Sequence, residues 1–457
     1  MPIARGVRIR IGYAGGAVVT GVFTTLPGLL LLPYLTDTLG VGAAAAGLVV
    51  LLPKAWDVVL TPVAGRLGDR GRSRTGSRRG HVLGGGAATA AAFALTFAGL
   101  ARGSAGALLT AAAFTLTATA FAFFHASYAA LPADLADTPR ARMALVGGRV
   151  AGIAVAALAA GTVAPALVGA TGGGLAGHRW AGLFGAALIL TATLLLHRVT
   201  PPGGSAAAAQ PVTAGNRSAA RPWAVLRGTP GFAALVGCTA LQVVATGCLM
   251  AAGPYFAAHA LHAPAMTPAL IAAFVLPNLV SMPGWTRLAA RRGPRAALRR
   301  STAVFAAGCA LLALTPALPL AAPLVVLVAG TGHAGQLLCL YTLLAERCAE
   351  DDRHAHDRGT GAHGHAGVLA GLFGAAESLG LALGPFLCAL ALQLSGYVSS
   401  GTGTAAAQPA SALWGVTAAM SVLPALCALA GIALLRTRRT ASPAPAPQPH
   451  PVAQARL

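Results

Sequence analysis

Apolar stretches of about 20 residues recur along the whole chain, and short polar segments separate them. A helix needs about 20 apolar residues to cross roughly 30 Å of hydrocarbon, so each stretch is long enough to span a membrane. Inside a bilayer, a spanning helix satisfies all of its own backbone hydrogen bonds. The pattern predicts an all-α membrane protein with about twelve transmembrane helices. The predicted spans are residues 11–35, 43–67, 82–101, 105–131, 143–170, 180–199, 231–258, 267–286, 301–318, 321–345, 366–393 and 411–435.

The composition excludes an ordinary soluble protein. Only 9% of the 457 residues are charged, and the mean hydropathy is +0.70, whereas soluble domains carry about 25% charged residues. The net charge of +21 could indicate a nucleic-acid partner. However, the arginines form short clusters between apolar stretches, so we expect membrane lipids and no nucleic acid as partners.

The arginine clusters also predict the orientation of the chain. They lie at both termini and after the second and eighth spans, while the loops of the other parity carry only Arg102 and Arg179. Cytoplasmic loops are enriched in Lys and Arg, so both termini are predicted to be cytoplasmic. The excess of Ala, Gly and Arg, with Lys54 as the only lysine, is typical of a GC-rich bacterial genome. We therefore expect a multi-pass protein of a bacterial plasma membrane.

A weak internal repeat divides the predicted helices into two groups. The pattern P-x-x-x-R-L begins at Pro62 and again at Pro283, at the ends of the second and eighth spans. Parallel repeats of this kind occur in transporters, with the substrate site between the two halves. The predicted domains are a six-helix bundle at 1–199, a cytoplasmic linker at 200–228, a second six-helix bundle at 229–438 and a disordered cytoplasmic tail at 439–457. We expect a monomer.

Enzyme signatures are absent from the sequence. It contains no G-x-x-x-x-G-K-[ST], H-E-x-x-H or G-x-S-x-G motif, so no enzyme and no prosthetic cofactor are predicted. The seven cysteines form no C-x-x-C pair, and we interpret them as packing residues. Two H-x-H pairs precede the eleventh span, and we interpret them as a solvated loop, with a metal site as the alternative. These histidines are His354, His356, His363 and His365.

Four ionisable residues fall inside predicted spans: Lys54 and Asp57 in the second, Arg149 in the fifth and Glu377 in the eleventh. A charge in hydrocarbon costs about 2.5–3.5 kcal/mol or more, so such residues persist when they pair or line a wet cavity. Lys54 and Asp57 share a helix face and either neutralise each other or take part in ion coupling. Arg149 either snorkels to the interface or lines a cavity. Glu377 is too deep to snorkel easily and is predicted to be functional.

Several segments together resemble one transporter family. The strongest runs from Lys54-Ala55-Trp56-Asp57 to Arg78-Arg79, through Pro62, Gly65, Asp69-Arg70, Arg72, Arg74 and Gly76. Others are Tyr34-Leu35-Thr36-Asp37, Ala130–Leu135 with Arg142 and Arg149, Gly253-Pro254-Tyr255-Phe256, Pro283-Gly284-Trp285, Glu346 and Gly380. These residues resemble the glycoside–pentoside–hexuronide:cation symporters, the melibiose-permease-like branch of the major facilitator superfamily. The resemblance covers nearly the whole chain and implies that fold and transport by alternating access.

The resemblance also implies site residues. The Asp57 position helps to bind the coupling cation, the Arg149 position lines the sugar site, and the aromatic at Tyr128 stacks on the sugar. We add Glu377 and Lys54 as candidate coupling residues, and Trp56 and Tyr255 as candidate substrate-binding residues. The predicted cytoplasmic gate consists of Gly65, Asp69, Arg70, Arg74 and Gly76.

This chain departs from the family pattern at four positions. Where the family has a second cation-site Asp, this chain has Thr61. Gly21 and Phe124 stand in place of two acidic residues that bind the sugar hydroxyls, and Glu377 stands in place of a family lysine. The departures leave open which solute is carried and whether the coupling ion is a proton or a monovalent cation. Our hypothesis is coupled symport of a sugar or glycoside. The alternative is a secondary exporter or a carrier of lipid-like solutes on the same fold.

Overall fold

The computed structural model describes residues 2–75, 77–135, 138–200, 226, 231–357, 366–401 and 406–437. This part of the chain is almost wholly helical. The helices of the first half are α1 Pro2–Leu26, α2 Ala43–Thr75, α3 Arg79–Thr96, α4 Gly103–Leu135, α5 Pro139–Ala170 and α6 Gly174–Val199. Those of the second half are α7 Phe232–Tyr255, α8 Thr267–Val275, α9 Pro277–Val280, α10 Met282–Arg292, α11 Pro294–Leu312, α12 Ala322–Asp357, α13 Ala366–Leu394, α14 Ala410–Met420 and α15 Val422–Thr437.

Nine helical segments of the described part are long and apolar enough to cross a membrane, and a bent pair of segments makes a tenth. Two further helices, α3 and α11, overlap the predicted third and ninth spans. They contain 18 and 19 residues, which corresponds to a length of roughly 27 to 29 Å, close to the hydrocarbon thickness. The helical membrane architecture is therefore the predicted one.

The predicted eighth span, residues 267–286, is not one straight helix. It bends by 51° between Pro264–Val280 and Met282–Arg292. Pro277 and Pro283 lack a backbone N–H and interrupt the helical hydrogen-bond ladder at these positions. The Ser281 hydroxyl donates to the carbonyl of Pro277 at 2.7 Å, which satisfies one of the backbone groups at the bend.

The second predicted span also differs at its end. We expected the arginine-rich segment after residue 67 to be a loop, but α2 continues as a helix through Thr75. Arginine is a good helix former, so the helix can extend beyond its apolar part. Most of the predicted linker (201–225 and 227–228), the first two residues of the predicted second bundle (229–230) and the tail from 438 onward lie outside the described residues.

The helices pack as two halves, and the most extensive contacts between the halves involve three pairs of segments. Within the first half α1 packs on α5 and α6, and within the second half α7 packs on α13 and α15. Between the halves, α2 packs on α13, α5 on α8, and the π-helical turn Pro27–Leu31 on α7. We call the end of the molecule formed by the segments after α1, α7 and α13 the far end, and the opposite end the near end.

Candidate functional site

The α2 helix carries two buried charged side chains, Lys54 and Asp57, each 7% exposed. The Lys54 ammonium donates to the carbonyl of Phe23 at 3.3 Å and lies 3.4 Å from the centroid of the Phe23 ring. The Oδ1 atom of Asp57 has no hydrogen-bond partner, and in the part of the chain that the structure describes no ion pair joins it to Lys54. The two residues share a helix face as predicted, yet Asp57 keeps an oxygen free for a ligand.

Arg149 on α5 forms a second polar cluster in the first half. Its guanidinium donates to Nε2 of His125 at 2.8 Å and lies 5.3 Å from the centroid of the Tyr128 ring. Tyr128 stacks on Tyr13 with ring centroids 4.7 Å apart and donates to the Tyr13 carbonyl at 2.9 Å. Arg149 and Tyr128, both predicted substrate-binding residues, therefore lie together. Sequence reasoning missed His125, although it lies one turn before Tyr128 on the same face of α4.

Glu377 on α13 provides the acidic group of the second half. Its two carboxylate oxygens accept hydrogen bonds from the Tyr341 hydroxyl at 2.9 and 3.0 Å. Arg149 lies close enough across the space between the halves to act electrostatically on Glu377. The hydrogen bonds of Glu377 go to Tyr341, which sequence reasoning did not single out.

Trp56 and Tyr255, the other predicted substrate-binding residues, lie apart from Arg149 and Tyr128. Trp56 is 46% exposed and donates from its indole N–H to Thr119 at 3.1 Å. Tyr255 is buried at the far end, where its hydroxyl lies 2.7 Å from that of Thr36.

Of the residues predicted to form the gate, Gly65, Asp69, Arg70 and Arg74 lie on the last turns of α2. Gly65 and Arg70 are described there. The side chains of Asp69, Arg74, His354 and His356, and all of Gly76, His363 and His365, lie outside the described part. We expected all four histidines in a loop, but α12 continues through Asp357 and includes the backbone of His354 and His356. Nearby, the Arg78 guanidinium lies 3.4 Å from the Asp134 carboxylate, which joins the start of α3 to the end of α4.

At the far end, polar side chains join the two halves directly. The Tyr397 hydroxyl donates to Oδ1 of Asp37 at 2.9 Å and lies 3.0 Å from Nε2 of His259. The Ser400 hydroxyl donates to the Asp37 carbonyl at 2.9 Å. We call Asp37, Tyr397 and His259, with the Thr36–Tyr255 pair, the far-end network. Its members come from the segments after α1 and α13 and from the end of α7, so it fastens the two halves together.

The halves separate toward the near end. At the far end, a Cβ atom on Gly47 of α2 would lie 2.7 Å from the Ala389 Cβ of α13. Toward the near end of the same two helices, a Cβ on Gly65, Gly371 or Gly374 would meet nothing within 4 Å. The far end is therefore closed, while α2 and α13 diverge toward the near end.

Burial raises the pKa of Asp37 to about 6, and hydrogen bonds with Tyr397 and Thr36 offset part of that increase. The titratable side chains around it are Tyr397 on the segment after α13, Tyr255 and His259 on the α7 side, and His178 of α6 beside Thr38. An exposed Asp has a pKa of about 3.9. The closed far end therefore binds a proton at Asp37 more tightly than an open far end would.

We expect acid to favour the closed far end. Because the pKa is higher in the closed form, this stabilisation is complete below about pH 4 and is lost as pH rises through about 6. Protonation of Asp37 by itself should raise the closed-to-open ratio about tenfold between pH 7 and pH 5. Distances between spin labels at Leu100 and Leu394, which are exposed residues of the two halves, measure the ratio. Asp37→Asn should remove this rise, and a rise of the same size in that variant would contradict its assignment to Asp37.

A family model described as MFS/sugar transport protein matches residues 12–439. A glucuronide carrier protein homolog of Escherichia coli (strain K12) is 40% identical over 76 residues, which is 17% of this chain and 17% of that protein. An uncharacterized symporter of Synechocystis sp. is 37% identical over 76 residues, 17% of this chain and 14% of that protein. The matched stretch thus spans less than a fifth of either relative.

Solved transporters share the architecture of this chain. A bacterial homolog of the human lysosomal transporter Spinster, in an inward-facing and unoccupied conformation, has a TM-score of 0.70 at 16% identity, over 95% of this chain and 97% of that one. A D-xylose-proton symporter has a TM-score of 0.63 at 14% identity, over 94% and 98% of the two chains. The nucleoside transporter NupG has a TM-score of 0.60 at 14% identity, over 94% and 99%. These likenesses show the fold and confirm the predicted all-α membrane fold, while the boundaries of the two bundles stay a prediction.

Proposed function

Because this chain belongs to the MFS/sugar transport protein family, and so is a multi-pass membrane transporter rather than an enzyme, we propose that it carries a sugar or glycoside by alternating access. We propose further that transport is coupled to a proton or a monovalent cation. The relatives named as a carrier and as a symporter support this reading, as does the D-xylose-proton symporter among the similar folds.

The observation that carries the proposal is the asymmetry of the contacts between the halves. Tyr397 and Asp37 close the far end, whereas open space surrounds Gly65 and Gly371 toward the near end. With the termini in the cytoplasm, as the arginine clusters predict, the near end faces inward. The state is then inward-facing, and breaking the far-end network would be part of the change to the outward-facing state.

The polar residues between the halves support binding and coupling. Arg149 with Tyr128 offers a guanidinium and an aromatic face, which suit the hydroxyls and the apolar face of a sugar ring. Asp57 and Glu377 are carboxylates placed inside spanning helices of different halves, where each can bind a proton or a cation. A solute between them would contact both halves and be exposed alternately to the two sides.

Uptake into proteoliposomes tests this function. We expect an imposed proton or sodium gradient to drive at least one labelled sugar or glycoside above its equilibrium level. For one proton per solute, a gradient of one pH unit supports accumulation of up to about tenfold. Liposomes without protein, and proteoliposomes treated with an ionophore that abolishes the gradient, are the controls.

The alternative solutes are tested in the same preparation. A thermal-shift screen compares sugars and glycosides with amphipathic compounds as ligands of the purified protein. Stabilisation by amphipathic compounds alone, together with no gradient-driven sugar uptake, would overturn the symport proposal and favour an exporter or a carrier of lipid-like solutes.

A further inference from the structure

A buried pair of amide side chains lies among the helices of the second half. Gln242 on α7 and Gln336 on α12 are 2% and 1% exposed. Nε2 of Gln336 donates to Oε1 of Gln242 at 2.6 Å, and Nε2 of Gln242 donates to Thr302 at 3.1 Å and to the Ala428 carbonyl at 3.2 Å. Both amide nitrogens and the Gln242 oxygen are therefore satisfied within the protein.

One oxygen of this pair lacks a hydrogen bond of good geometry. Oε1 of Gln336 is buried, and the His333 ring, one turn earlier on α12, interacts with this amide without forming such a bond. A buried acceptor without a donor has lost its hydrogen bond to water and gained none in return, so a partner that donates a hydrogen bond is expected at this atom. The hydrogen bonds that Gln336 makes to neighbouring helices use its amide nitrogen, so they do not account for its oxygen.

The unpaired oxygen belongs to a residue that lines a small cavity. The cavity measures about 20 Å³, and Gln336, Gln242, His333, Tyr341 and Glu377 contribute its polar lining, together with three aliphatic side chains. A site of this size holds about one water molecule when polar groups surround it. Glu377 borders the same cavity, and the Tyr341 hydroxyl donates its one hydrogen to both carboxylate oxygens in a shared hydrogen bond.

We propose that the second half carries its own proton-coupling site, in which one water molecule lies between Oε1 of Gln336 and the Glu377 carboxylate. The proton arrives on this water and binds to a Glu377 oxygen. The resulting O–H then donates to the water, which in turn donates to Gln336. Release reverses these steps, and the proton leaves on water toward the open near end. This inference rests on the proposed coupled transport and adds the coupling ion and the residues that position it.

The lining favours a proton over a metal cation. A monovalent cation must exchange its hydration shell for several oxygen ligands. The cavity supplies few: the Glu377 oxygens, already bound by Tyr341, and Oε1 of Gln336, while aliphatic side chains form much of the remaining lining. One water molecule with two hydrogens matches the two acceptors.

The charged and titratable groups around Glu377 come from several elements. Tyr341 and His333 lie on α12, Arg149 acts from α5, and Lys54 and Asp57 lie on α2, which packs against α13. Among the described residues, α7, α14 and α15 contribute no Asp, Glu, Lys or Arg at this level of the bundle. Asp57 can also take up a proton, so a measurement of carboxyl protonation must distinguish Asp57 from Glu377.

Infrared difference spectra between two pH values test the proposal on the full-length protein in lipid, without any solute. The wild-type protein should show a protonated-carboxyl band that Glu377→Gln removes and Asp57→Asn leaves in place. Gln336→Leu and Tyr341→Phe should shift the position of this band, because each removes a partner of the carboxyl group. Thr302→Val is the matched control: it weakens the amide pair but keeps Oε1 of Gln336, and the band should not move.

The outcomes discriminate among the readings. If the band does not move in Gln336→Leu, Gln336 only packs in the bundle, and its proposed role as the acceptor for the water molecule is wrong. A band that moves equally in Thr302→Val would lead to the same conclusion. Sodium added at constant pH should leave the band unchanged, and its disappearance would assign the site to a metal cation.

A stability check keeps these results interpretable. If Gln336→Leu lowers the unfolding temperature strongly, Gln336→Met takes its place, since it keeps the length and removes the oxygen. Because the spectra need no sugar, absent uptake of every sugar would defeat the proposed function while leaving this site intact. Conversely, uptake with no Glu377 band would defeat only this site.

Discussion

Asp57→Asn is expected to abolish accumulation of solute against a gradient, while exchange of solute across the membrane continues. Asp57 lies inside the apolar part of α2 and is 7% exposed, and its Oδ1 accepts no hydrogen bond. Asparagine has nearly the same shape but carries no charge and cannot be protonated at this oxygen. The variant therefore keeps the helix packing and loses only the group to which a proton or cation would bind. Gradient-driven uptake should fall by at least about tenfold, to the level set by equilibration.

The controls for this prediction separate coupling from folding. Asp57→Glu restores a carboxylate one methylene further out and should recover part of the accumulation. The unfolding temperature of Asp57→Asn should stay close to that of the wild type, since Lys54 interacts with Phe23 and does not depend on Asp57 for its hydrogen bond. Full accumulation by a folded Asp57→Asn protein would remove Asp57 from the coupling machinery.

Hydropathy and residue spacing could predict the architecture and part of the site. A spanning helix must be apolar over its full length, so the hydropathy of consecutive residues is enough to locate it. The placement of Lys54 and Asp57 on one face follows from their spacing of three residues. The proximity of Arg149 and Tyr128 was implied by family resemblance and not by any local pattern, and the structure brings the two together.

Contacts between distant segments could not be predicted in this way. Asp37 and Tyr397 are 360 positions apart, and their hydrogen bond exists only because the two halves meet at the far end. The Tyr341–Glu377 pair likewise depends on how α12 packs beside α13. The bend at α8 to α10 was accessible in principle, because Pro277 and Pro283 both lie within the predicted span.

Gly47→Val is expected to prevent closure of the far end and to lower transport by at least about tenfold. A Cβ atom at Gly47 would lie 2.7 Å from the Ala389 Cβ and 3.2 Å from Cδ2 of Phe386, closer than the 3.5–4.0 Å at which carbon atoms pack best. Valine adds two methyl groups beyond this atom. The contact lies between the halves, so the clash is relieved when they separate at the far end, and a transporter that cannot close one end cannot complete its cycle.

The distance between spin labels at Leu100 and Leu394 should therefore be longer in Gly47→Val than in the protein that keeps Gly47. Gly84→Val is the matched control, because Gly84 lies in the spanning helix α3 and a Cβ there would meet nothing within 4 Å. That variant should keep both the short distance and the transport rate. If Gly47→Val transports normally with a closed far end, α2 and α13 must be able to separate locally without opening the molecule, and the packing at Gly47 would not govern alternating access. A long distance between the labels together with lost transport would show that the contact at Gly47 governs access at the far end. The control supports this conclusion because Gly84→Val adds the same side chain to another helix of the first half, where no neighbouring atom lies within 4 Å of the new Cβ.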